Sequence, residues 1–177
     1  MRRLGIITAL SMLVLALSAS AAFAAITTNI DPANAPTGTH LQTGTIGCSV
    51  NSSTLLVTCS TFELGGVGGA NATGSLATTY SATVDCTNNG GKLVPVKSTA
   101  QTAPTTTGSL SPKNGRLSVP SVNSGPVPTA GDFEAAATCP NGNWTKSLEG
   151  GSITLSSFTY TLTFAGFTGA YITIKGP

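Results

Sequence analysis

From Leu76 to Cys86 apolar and polar residues alternate almost without interruption. Leu76, Tyr80, Ala82, Val84 and Cys86 take one phase of a period of two, and Ala77, Thr79, Ser81, Thr83 and Asp85 take the other. Successive side chains of a strand point to opposite faces, so this stretch predicts a half-buried strand with Cys86 on its inner face. The other three cysteines also sit in the apolar phase of their own segments: Cys48 with Ile46 and Val50, Cys59 with Leu55 and Val57, and Cys139 with Phe133, Ala135 and Ala137. All four thiols are therefore expected to face a common interior.

Folding residues 44–60 back on themselves in register sets Val50 opposite Val57, Cys48 opposite Cys59 and Ile46 opposite Thr61. Directly opposed residues of a non-hydrogen-bonded antiparallel pair have Cα atoms about 4.5 Å apart, which is within disulfide range. Cys48–Cys59 is thus the first expected bridge. Cys86 runs into Asn88-Asn89-Gly90, and Cys139 into Asn141-Gly142-Asn143. Asn-Gly is a strong hairpin signal, so both segments are read as strands that finish at the same end of the domain, which makes Cys86–Cys139 the preferred second bridge among the three pairings that four cysteines allow. A two-residue loop at Asn141-Gly142 places Trp144 opposite Cys139, on the inner face beside this bridge.

The remaining segments are less regular. Residues 25–44 read as an extended arm or edge strand, and residues 65–69, rich in glycine, as a flexible connection. The latter lack the Gly-Lys-Ser/Thr ending of a phosphate loop and the glycine spacing of a dinucleotide site. Residues 99–107 read as a connector and residues 121–131 as a loop. Lys113-Asn114-Gly115-Arg116 predicts a hairpin turn pairing Leu110 with Val119, with Pro112 marking an edge strand. Ile153 and Leu155 share one phase while Phe158, Tyr160, Leu162 and Phe164 share the other, so a bulge or corner is expected at Ser156-Ser157. A turn through residues 165–169 then leads to a closing strand. Helical periodicity is not evident beyond the N-terminal stretch. The sum is an all-β chain: an antiparallel β-sandwich of about seven to nine strands, Ig-like in general layout, with two disulfides. The Cys-Trp-Cys order of antibody domains is absent, because Trp144 follows both cysteines of the second expected bridge.

Composition adds a compartment. Residues 1–24 read as a signal peptide, with Arg2 and Arg3 as the basic start, residues 4–17 as the apolar run and Ala22-Phe23-Ala24 as the cleavage motif. That run is short for a bilayer, so no membrane span is expected after its removal, and residues 25–177 are expected to form a single secreted domain, extracellular or periplasmic. Leu, Ile, Val and Phe supply only 31 of the 153 residues after Ala24. So thin a core gains from cross-links, and an even number of cysteines behind an export signal fits two disulfides. Without Arg2 and Arg3 the chain holds six basic and six acidic residues, a formal charge of zero. Neutrality argues against nucleic acid or anionic lipid as partner and permits self-association.

Candidate chemistry is sparse. His40 is the only histidine and lies in the polar arm, away from any pattern that pairs a base with a nucleophile. Neither paired histidines nor CxxC spacing indicates a metal, Asp85 with Asn88 and Asn89 lacks the spacing of a calcium loop, and no cofactor is expected. Asp85, Asp132 and Glu134 take outward phases, unlike a glycosidase pair converging in a cleft. Asn51-Ser52-Ser53, Asn71-Ala72-Thr73 and Asn143-Trp144-Thr145 match the glycosylation pattern. The expected function is non-enzymatic: a secreted or cell-surface β-domain with a structural or binding role, its partner an extracellular polysaccharide or another copy of itself. A carbohydrate-binding module is one alternative, with Trp144 and at least one of Tyr80, Tyr160 or Tyr171 exposed together for stacking. A subunit of an extracellular fibre, donating residues 25–47 to a neighbour's sheet edge, is another.

Overall fold

The structure, a computed structural model, describes residues 25–177, so the expected leader lies outside the described residues. In chain order the elements are β1 (Thr27–Ile30), β2 (His40–Gly44), β3 (Cys48–Val50), β4 (Val57–Cys59), β5 (Phe62–Gly65), β6 (Ala72–Thr87), β7 (Leu93–Gln101), β8 (Thr105–Leu110), β9 (Arg116–Val119), β10 (Val122–Asn123), α1 (Ala130–Ala136), β11 (Thr145–Leu148), β12 (Thr154–Phe164) and β13 (Ile172–Gly176). These thirteen strands exceed the seven to nine expected, because short ladders of two to four residues carry too little periodicity to register in the sequence.

Strand β6 is the hub. Its alternation extends over sixteen residues, with every second residue from Ala72 to Cys86 buried. One side of β6 pairs with β12 and β11 and the other with β7 and β8, all antiparallel. Beyond β12 lie β13 and then β1, which completes a seven-stranded sheet. The outward phase of β6 is mostly Thr and Ser, residues whose short polar side chains suit a solvated pleat.

Two three-stranded sheets, β10-β4-β3 and β2-β5-β9, supply the second layer of a sandwich. Val57, Cys59, Phe62, Leu64, Leu117, Val119 and Val122 of these sheets join the inner residues of β6, β12 and β13 in one apolar cluster. Aromatic side chains compensate for the shortage of aliphatic ones. Phe62, Phe133, Phe158, Phe164, Tyr80, Tyr160 and Tyr171 are all buried, and each such ring removes about 150–250 Å² from water.

The phase switch in β12 is a β-bulge, as expected. Leu155 pairs with Tyr80 and Ser157 with Thr79, so one residue is unpaired between them and both Leu155 and Phe158 point inward. Burial pushes the Tyr160 phenol from 10.0 up to about 12. The folded protein therefore keeps a proton that the unfolded chain releases near pH 10. Stability from this group is complete below pH 10 and falls as pH rises toward 12, by roughly 3 kcal/mol in all. Urea midpoints measured across that window should decline more steeply for the wild type than for Tyr160→Phe.

Four local expectations are corrected. Phe133 to Cys139 is not a strand: residues 130–136 form α1, and Cys139 follows in a loop. The Asp132 carboxylate accepts from the Thr129 hydroxyl at 2.8 Å and the Thr129 N–H at 2.7 Å, and these bonds hold its pKa below the ordinary value. They begin a helix in which Phe133 faces inward, as does Ala137 at its C-cap four residues on, while Ala135 is exposed; a spacing of four here mimics a spacing of two. Residues 99–107 are mostly strand, divided between β7 and β8. The turn at Asn114 and Gly115 has two positive φ angles (51° and 72°) as expected, yet Leu110 and Val119 do not pair. Strand β8 joins β6 while β9 joins β5, and Pro112 has no N–H with which to continue a ladder between them. Finally, residues 65–69 are more than a flexible connection. Gly66 has φ +72° and lies against the Gly38 carbonyl, where a side chain has no room, and Val67 beside it is fully buried.

Candidate functional site

Both disulfides form as expected, Cys48–Cys59 between directly paired residues of β3 and β4, and Cys86–Cys139 with Cα atoms 5.7 Å apart. Their burial is uneven: Cys59 and Cys86 are enclosed, whereas Cys48 and Cys139 are half-buried. The second bridge brings two asparagine-rich turns together at one end of the large sheet.

The first turn follows β6. The Asn88 side-chain oxygen accepts the backbone N–H groups of Gly90 and Lys92, both at 2.9 Å, which closes the reversal into β7. The second lies between Cys139 and β11, where the Asn141 side-chain oxygen accepts the Asn143 N–H at 3.2 Å. Strand β11 then pairs with the end of β6, Thr145 against Thr87 and Lys146 against Cys86. Trp144 is the residue just before this ladder, so it is held beside the Asn88 turn. Helix α1 braces the same loop: Lys146 Nζ donates to the Ala137 carbonyl at 2.7 Å, and Glu134 Oε1 accepts from the Leu148 N–H at 3.0 Å.

The result is a shallow cleft of about 290 Å³ lined by Asn88, Asn89, Gly90, Asn141, Asn143 and Trp144. None of these residues is charged. The amide oxygens of Asn88 and Asn141 are engaged in their turns, which leaves the Nδ2 groups as donors, while Asn89 and Asn143 are exposed. Trp144 is half-buried and adds part of an apolar ring with one N–H donor. Such a surface can stack on a flat apolar face and donate to oxygens at its rim.

No family model, curated protein or solved structure matches this chain.

The four aromatic residues expected for stacking separate into two groups. Trp144 is half-buried and does not pair with Cys139, because the segment before it is a helix and a loop instead of a paired strand; it keeps the phase of Lys146, which lies opposite Cys86. Tyr80, Tyr160 and Tyr171 are buried, and the Tyr80 phenol donates to the Leu55 carbonyl at 3.2 Å. Their alternating phase already placed Tyr80 and Tyr160 inward. The asparagines were visible in the sequence only as turn formers; what makes them a site is the disulfide that brings two such turns together.

Elsewhere His40 is exposed, with Nδ1 2.8 Å from the Gly38 carbonyl and Nε2 3.3 Å from Gln42, an arrangement that holds no nucleophile. Glu63 lies in another cleft but is paired with Arg116 at 3.0 Å. Residues of the arm expected to serve a neighbour pair inside the chain, β1 with β13 and β2 with β5.

Proposed function

We propose that this protein is a non-enzymatic secreted β-domain with a binding role, and that its ligand is a neutral polysaccharide held at the Trp144 cleft. Two disulfides fit a non-cytosolic compartment, and the leader-like residues 1–24 support export. Among the described residues no helix is long and apolar enough to cross a membrane. The observation that carries the binding reading is a half-buried tryptophan that lines a cleft with four asparagines and no charged side chain. A pyranose offers an apolar C–H face to the indole and hydroxyl oxygens to the amides. Neutral donors recognise such oxygens without the desolvation cost of burying a charge.

The second stacking ring expected from the sequence is missing, because Tyr80, Tyr160 and Tyr171 are buried, and one stacking residue sets a weak affinity, with Kd in the range of about 0.1–10 mM per site. Because Trp144 is the only tryptophan, its emission reports this cleft alone. Titration with neutral glucan, xylan and chitin oligosaccharides should shift that emission for at least one series. Affinity electrophoresis in the corresponding polysaccharide should show retardation lost in Trp144→Ala, with the melting temperature of that variant unchanged. Emission and mobility that stay constant across the whole series would overturn the reading.

A further inference from the structure

A sandwich has two long sides: one is crossed by residues 31–39, whose Ala35 is buried and whose Asn34 Oδ1 accepts from the Gly169 N–H, and along the other the edge strands of the two layers lie against each other. There β8, at one edge of the large sheet, comes together with β9, at one edge of a small sheet, through the turn at residues 111–115. The opposite side is bounded by β1 and β2, the strands farthest from β8 and β9 in the two sheet orders. Thr28 pairs with Ile174 and Ile30 with Ile172, so the even-numbered residues of β1 are in the inner phase, and the same alternation includes Ile26. Leu41 of β2 is in the inner phase as well, paired with Leu64. Ile172, Ile174 and Leu64 are fully buried, whereas Ile26, Ile30 and Leu41 are 40%, 44% and 43% exposed. The apolar layer is partly exposed on this side at these three residues.

The edges of the large sheet are unlike. Strand β7 carries Pro95 and Lys97, two residues that discourage a further strand from adding there. Strand β1, Thr27-Thr28-Asn29-Ile30, has no proline, charge or register break, and its outer backbone edge is unpaired among the described residues. Strand β2, on the same side of the sandwich, has a register break between Leu41 and Thr43.

We propose that β1 is a self-association strand, which pairs antiparallel with β1 of a second copy about a two-fold axis at Thr28. This register is self-complementary. Ile26 of each copy lies opposite Ile30 of the other on the inner face, and Thr27 lies opposite Asn29 on the outer face. Residues 25–30 carry no charged side chain, and the side chains after residue 24 are neutral overall, so no side-chain charge on this edge repels the second copy. The two large sheets become continuous; of the other outer strands, β7 carries Pro95 and Lys97, β8 is broken in register with a positive φ at Gly108, and β11 carries Lys146, so each copy offers one regular edge and assembly stops at the dimer instead of growing into a fibre. A contact of about six residues per copy covers less than the roughly 800 Å² per partner of a stable interface. The dimer is accordingly weak, with a dissociation constant between about 10 µM and 1 mM.

Sedimentation of the protein secreted from its full-length gene, over about 1 µM to 2 mM, tests this. The weight-average mass should climb from monomer toward dimer and no further. Ile30→Lys should raise the half-dimer concentration at least tenfold, whereas Leu93→Lys, at the opposite edge, should leave it unchanged. Thr28→Cys should yield a disulfide-linked dimer joined through position 28 under mild oxidation, and Leu93→Cys should not. This second readout keeps the test decisive if Ile30→Lys folds poorly. Trp144→Ala should dimerise like the wild type, which separates this surface from the saccharide cleft. A monomer at every concentration, growth beyond dimer, or a cross-link through any other position would overturn the proposal.

Discussion

Removing the Cys86–Cys139 bridge, as Cys86→Ala with Cys139→Ser, should destabilise the folded protein by about 4 kcal/mol, because the closed loop of roughly fifty residues restricts the unfolded chain strongly. The two cysteines are 53 residues apart, against 11 for Cys48 and Cys59. The same closure argument assigns about 3 kcal/mol to the shorter loop. The order of the two effects therefore tests loop length as the governing quantity. Alanine at 86 avoids placing a hydroxyl without a partner at a fully buried position. Urea unfolding without reductant should show the larger midpoint loss for the 86/139 variant, and against a total stability of about 5–15 kcal/mol the change is severe. That variant should also lose the saccharide-dependent shift in Trp144 emission, since the bridge connects the two turns of the cleft. Greater damage from opening Cys48–Cys59 would refute this account.

Phe158→Ala should cost about 3–5 kcal/mol, toward the upper end of that range. Phe158 lies between Thr78 on β6 and Gly176 on β13, and its ring covers the glycine so closely that a side chain at 176 would collide with it. Truncation leaves a cavity whose neighbour has no side chain to move into it, so collapse is hindered from that side. Leu155→Ala, across the bulge near the start of β12, should cost less, about 2–3 kcal/mol, because a gap near a strand end relaxes more readily. Paired thermal and urea unfolding of the two variants checks the ranking. A Phe158→Ala loss smaller than that of Leu155→Ala would remove Phe158 from the set of residues that hold the sheet together.

Much of the framework is visible where the signal is local and long. The alternation of β6, the change of phase across Ser156, and the register that sets Cys48 against Cys59 each arise from residues a few positions apart. The same type of signal fails where it is short. Phe133, Ala135 and Ala137 satisfy a spacing of two and a spacing of four together, and only the Thr129–Asp132 hydrogen bonds decide for a helix. At the site, the sequence singles out Trp144, but the pairing with Cys139 expected for it depends on a strand that does not exist. The asparagines around it gained significance only once two distant turns shared one cleft.

From residue order alone came the all-β class, the central strand, the bulge and both sulfur pairs, because an alternating face or an Asn-Gly turn is a property of neighbouring residues. Folding in three dimensions determined that β8 and β9 belong to different layers, that the tyrosines are fully buried while the tryptophan is only partly so, and that among the described residues the edge at β1 remains uncovered. Those outcomes depend on which distant surfaces compete for the same apolar area, and no window along the chain contains that competition.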